Sequence, residues 1–132
     1  VTEIESIADS CHNMARHYKR KIEAKAVFTV EVQDNLRLMW KELEKAYDKM
    51  QEVREKQEVS DSDMTDSIKY ENRINELRNM LKRKNIDDIN NNLYDYKTGV
   101  FYTDLITECE HMGDYIINVV QSVESGQTIR RK

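Results

Sequence analysis

The chain has 132 residues, no proline, three glycines, 35% charged residues and a formal net charge of −4 at pH 7. That length predicts one domain with a sizeable core, and the mixed Glu, Lys, Asp and Arg are the composition of long solvated helices. The acidic balance excludes a general nucleic-acid binder, which needs a basic face, and no run of about eighteen apolar residues is present to span a membrane.

The first predicted helix covers about 2–21, with Ile4, Ile7, Ala8, Cys11, Met14 and Ala15 on one face. A linker over 26–32 leads into a second helix, about 30–58. Its stripe is Val32, Leu36, Met39, Leu43, Ala46 or Tyr47, Met50 and Val53, the alternating three-and-four step of a bundle helix. Ser60-Asp61-Ser62-Asp63 supplies capping side chains for a third helix, about 61–88. Its stripe is Met64, Ile68 or Ser67, Tyr70, Ile74, Leu77 and Leu81. Asn90-Asn91-Asn92 breaks the pattern, because asparagine bonds its own backbone and favours turns. A fourth helix is predicted over about 95–123, with Gly126 at the expected stop. Helices of this length reach roughly 40 Å, and short connections force antiparallel neighbours. The predicted fold is all-α: an up-down antiparallel bundle of about four helices in a single domain over 1–132.

The basic runs Leu81-Lys82-Arg83-Lys84 and Arg130-Arg131-Lys132 are short and read as helix C-terminal cations or a solvated tail. Cys11 and Cys109 form no Cys-x-x-Cys pair; they suit a reducing, cytosolic setting as small buried side chains.

Nine residues near the start are echoed near the end. Glu5-Ser6-Ile7-Ala8-Asp9-Ser10-Cys11-His12-Asn13 aligns without a gap with Glu110-His111-Met112-Gly113-Asp114-Tyr115-Ile116-Ile117-Asn118. The shared pattern is Glu-x-x-x-Asp-x-x-x-Asn, which lines both acids and the amide along one helix face. Two like charges at that step repel by a few tenths of a kcal/mol, and a bound cation would offset the cost. Helix three carries a degenerate third copy, Glu71-Asn72-Arg73-Ile74-Asn75. If helices three and four are antiparallel neighbours, these polar patches face each other.

Cys109-Glu110-His111-Met112-Gly113-Asp114-Tyr115-Ile116-Ile117-Asn118-Val119 resembles the signature that closes each three-helix repeat of PhoU-type proteins, roughly Leu-Glu-Arg-Ile-Gly-Asp-His-Ala-x-Asn-Ile. Ile4 to Asp9 with Asn13 is similar to the same signature ending a preceding repeat. Glu71 to Leu77 is similar to the family's middle-helix Glu-x-x-Ile-Asp-x-Leu. The resemblance implies the closing helix of repeat one over 1–24 and a complete repeat two over 28–126. The chain begins with Val and enters the motif at once, so we expect a piece of a longer parent; the resemblance offers two branches for it, a free-standing PhoU protein and the cytoplasmic tail of a bacterial sodium–phosphate cotransporter, and the tail is the one we expect.

The resemblance implies a non-enzymatic regulatory role in phosphate transport or phosphate signalling. Its partners would be a membrane transporter domain of the parent chain or a phosphate-transport complex, with a homodimer as a further form. The expected location is cytoplasmic, at the inner face of the plasma membrane, with no insertion of this segment. Family members bind iron or zinc through acid pairs; carried over residue by residue, the candidates are Glu71, Asn75, Glu110 and Asp114, with Glu5 and Asp9 from the first repeat. Asn75 stands where the family has Asp, which removes a charge from the site. Ala8 replaces the signature glycine, and Ser6 and His111 replace its Arg.

Plainer readings compete. Acids four apart also make a solvated face or favour a helix N-terminus. Gly113 with Asp114 and Asn118 would equally serve helix packing, through close approach and hydrogen bonds to a neighbour. His12 and His17 are five apart, off the spacing of a helical metal pair, and read as surface or core-edge side chains. Trp40 reads as a packing or interface residue. A di-iron enzyme needs Glu-x-x-His on two helices, and only Glu108 with His111 has that spacing. The alternative function is a helical oligomerisation module without a ligand.

Overall fold

The structure is a computed structural model that describes residues 2–131, with side chains as far as Gln127. Four helices, α1 Glu3–Glu23, α2 Val30–Lys56, α3 Asp61–Asn90 and α4 Tyr96–Arg131, make an all-α bundle with no strand among the described residues. Each start is capped by a side-chain oxygen on an otherwise orphan amide. Thr2 Oγ1 accepts from the Glu5 amide at 3.1 Å, Thr29 Oγ1 from Val32 at 3.1 Å and Asp95 Oδ1 from Thr98 at 2.8 Å. Ser60 and Asp63 exchange two 3.0 Å bonds in a capping box.

The helix ends differ from expectation in one respect. Gly126 does not stop α4, which continues to Arg131, and no glycine has a positive φ. The stops are instead written in Lys25, Gln57 and Asn92, with φ of 57°, 51° and 59°. After each, an amide reaches back five residues: Ala26 to Lys21, Glu58 to Val53 and Leu93 to Asp88. That is the left-handed cap glycine usually supplies. Beyond Gly126, the Gln127 side-chain oxygen accepts from the Val59 amide at 2.7 Å, tying α4 to the α2–α3 turn.

Helices α2, α3 and α4 pack on one another through Met39, Leu43, Met50, Ile74, Leu77, Tyr102, Ile106 and Val120, all essentially sealed from solvent. Where the sequence left alternatives, Ala46 and Ser67 turn inward while Tyr47 and Ile68 stay exposed. Helix α1 packs along α4; no Cα of α1 comes within 8 Å of one in α2 or α3, but the Tyr18 side chain packs against the core and reaches Trp40 of α2. The buried residues of α1 are Ile7, Ser10 and Met14.

Two polar clusters fix the turns. Asp63 accepts from Lys49 at 3.2 Å and pairs with Lys56 at 2.6 Å, drawing the end of α2 onto the start of α3. Burial alone would raise its carboxyl, but Lys56, Ser60 and Lys49 outweigh that and hold it well below the usual range. At the other turn, the buried Asn85 amide donates to Gly99 O at 3.0 Å and Thr103 Oγ1 at 2.8 Å, and Tyr94 donates to Asn85 Oδ1 at 2.6 Å.

Candidate functional site

The acidic candidates of the second repeat gather where α3 crosses α4. Glu71, Asn75, Glu110 and Asp114 are each partly buried. Burial lifts the Glu71 carboxyl, and the Asp114 charge lifts it further. Asp114 is raised by its own burial and then by Glu110, with His111 and Arg78 opposing. The polar patches of α3 and α4 therefore do face each other. Arg78, which the motif reading did not pick out, hydrogen-bonds Glu110 and neutralises one carboxylate of the group.

Beneath this patch Ser67, Glu71, Gly113 and Ile116 enclose a gap too tight for a water molecule. The Ser67 hydroxyl there is buried without a hydrogen-bond partner. Gly113 does not serve close approach as the sequence suggested: an added methyl would meet Ile74 at 3.4 Å, an ordinary contact. Among the described residues no three His, Cys, Asp or Glu side chains are placed to hold a metal ion.

The first-repeat candidates lie elsewhere. Glu5 and Asp9 are exposed on α1, and the acid pairs of α1 and α4 do not form one cluster. The asparagines that end the two motifs do meet the opposite helix. Asn118 on α4 donates to Glu3 Oε2 on α1 at 3.5 Å, and Asn13 on α1 donates to Glu108 Oε1 on α4 at 3.4 Å. Glu3 and Glu108 occupy the same place in the repeat, each ten residues before its own asparagine. The two bonds are thus the same interaction made twice, once in each direction, across a local pseudo-two-fold between antiparallel helices. The echo in sequence is, at this point, the symmetry of a helix–helix contact.

His17 extends that seam. Its ring lies 3.9 Å from both Asp104 and Glu108, with Nδ1 buried and unpartnered, and His111 lies 4.0 Å from Glu108. His12 is exposed. Cys109 is buried, and burial followed by the Glu108 charge pushes its thiol up to about 12. Cys11, expected inside, is exposed, because the α1 face that carries it is uncovered.

That uncovered face borders an apolar trough. Ile4, Ala8 and Cys11 on α1 form one wall and Trp40, Glu44, Tyr47 and Arg54 on α2 the other, over a floor that includes Met112, around a trough of about 480 Å³. The motif reading missed it; the signal was the width of the apolar face of α1, which a single neighbour cannot cover.

No protein-family model, curated protein or solved structure matches the chain. No helix among the described residues is long and apolar enough to cross a membrane.

Proposed function

We propose that this chain is a non-enzymatic regulatory domain of the PhoU-like kind, working in phosphate transport or phosphate signalling through contacts between helices. The observation that carries the reading is the duplicated closing helix. α1 and α4 share one motif and meet through one repeated Glu–Asn bond, yet only α4 is enclosed by two further helices. A domain of this form transmits a signal by what covers the open face of α1. The partner in this reading is a transporter domain of the parent chain, or a phosphate-transport complex, at the cytoplasmic face of the membrane. Deleting the coding segment for these residues should change phosphate uptake at low or high external phosphate; unchanged uptake at every level would count against the reading.

A second reading, iron or zinc held by Glu71, Asn75, Glu110 and Asp114, draws on the raised carboxyls of Glu71 and Asp114, which a cation would relieve. Metal content beside a Glu110→Gln/Asp114→Asn variant of unchanged helicity tests it. Stoichiometric metal lost in the variant supports the site, and no metal in either protein removes it. The oligomerisation module without ligand predicts self-association indifferent to chelator.

A further inference from the structure

Six large hydrophobic side chains are more than half exposed among the described residues, and all six lie at one end of the bundle. Ile22, Val27 and Val30 flank the α1–α2 turn; Ile86, Leu93 and Tyr96 flank the α3–α4 turn. The up-down order puts both turns at that end, where Lys84 of α3 reaches Glu31 of α2 at 2.9 Å and the Phe28 and Tyr102 rings sit 6.0 Å apart. Phe28 closes the core there, so the six are not needed to seal it. Exposed apolar side chains gathered in one place mark a surface that meets something apolar. Whatever precedes residue 1 joins α1 at its other end, and helices laid along the flank of α1 would run beside this end rather than over it.

Charge is sorted along the same axis. Residues 19–31 and 82–97, around these two turns, hold eight Lys and Arg against five Asp and Glu, in a chain that has 21 against 25. Residues 48–66, around the α2–α3 turn at the other end, hold three against seven. Of the five acids, Glu23 lies 4.0 Å from Lys19, Lys84 takes Glu31 and Asp88, and Asp95 caps α4. Arg20, Lys25 and Lys82 are left without a carboxylate at ion-pair distance among the described residues. Cations also interleave with the apolar residues: Lys25 lies between Ile22 and Val27, and Lys97 follows Tyr96. The core of a protein–protein contact is depleted of lysine. A bilayer surface suits the mixture, because apolar tips enter the acyl boundary while lysine heads and the tyrosine hydroxyl stay among the headgroups.

We infer that this end of the bundle is a docking surface for an anionic lipid bilayer, with the six apolar side chains dipping into the headgroup–acyl boundary and Arg20, Lys25 and Lys82 facing the lipid phosphates. The segment rests on the membrane and does not cross it, since no described helix is apolar enough to span. The inference goes beyond the phosphate reading and does not depend on it.

The test is flotation of the 132-residue chain with protein-free vesicles, made of phosphatidylcholine alone or of equal parts phosphatidylcholine and phosphatidylglycerol. The expected result is binding to the mixed vesicles only, weakening as salt rises. Val27→Asp and Leu93→Asp, at exposed turn sites, should each weaken binding about tenfold or more with helicity unchanged; Lys25→Glu should weaken it about fivefold or more. Brominated lipid reads the orientation. It should quench the indole of a Tyr96→Trp/Trp40→Phe variant and spare Trp40 of the native chain, which lies ten residues along α2 from Val30. Binding to neither kind of vesicle, equal binding to both, or equal quenching at positions 40 and 96 would overturn the inference; the first of these would hand this end to a protein surface. Vesicle binding with unchanged phosphate uptake on deletion keeps this surface and removes the regulatory reading, whereas altered uptake with no vesicle binding does the reverse.

Discussion

Glu71 and Asp114 show how a single charge can be placed against the interest of the fold. Both carboxyls are raised first by burial; the Asp114 charge then raises Glu71, and the Glu110 charge raises Asp114. A folded-state value above the unfolded one means that stability is fully present below the unfolded carboxyl range, about pH 4, and is lost as pH rises through the folded value. Glu71→Gln should therefore raise the melting temperature at pH 7 by roughly 2–5 °C, and the advantage should fade on acidification below about pH 4. Thermal unfolding at the two pH values measures this. A lower melting temperature for the variant at pH 7 would mean that the carboxylate is engaged by a cation. The acids were legible in the sequence because a four-residue step fixes a shared face. Arg78 was not: it lies on the facing helix at a level set by the α3–α4 register, which no spacing within one helix reveals.

Among the elements, helix existence was plain and helix ends were not. The capping oxygens of Ser60 and Asp63 marked the start of α3, and the asparagine run marked its end. Gly126 misled because glycine costs a helix interior only about 1 kcal/mol and stops nothing unless the backbone turns left-handed there. The turns that do go left-handed use Lys25, Gln57 and Asn92, residues whose identity carries little or no stop signal except in the last case. An L-residue in that region costs about 1–2 kcal/mol, partly offset by the unfolded-chain entropy that a glycine would add. Lys25 is exposed, so Lys25→Gly should stabilise the chain by about 0.5–1 kcal/mol. The urea midpoint should rise at constant slope; a fall would show that the Lys25 side chain contributes more than its backbone costs.

At the scale of the whole molecule, the sequence specified an up-down bundle but not which helices touch. The apolar arc of a helix states how much surface needs covering, and the neighbour that covers it depends on packing among all four. Three helices share the main core, while α1 adds a long helix that rests on α4 through few buried side chains, Ile7, Ser10 and Met14, and two marginal amide–carboxylate bonds. Each ordered residue of α1 gives up about 1–2 kcal/mol of backbone entropy, against the burial of Ile7 and Met14 and the packing of half-buried Tyr18 on the core, so its attachment is weak relative to the core. Hydrogen exchange should therefore resolve two units. Amides of α1 should exchange at least about tenfold faster than those around Met39, Leu77 and Ile106, through an opening that leaves α2–α4 folded. Equal protection across all four helices would mean that the chain opens only as a whole.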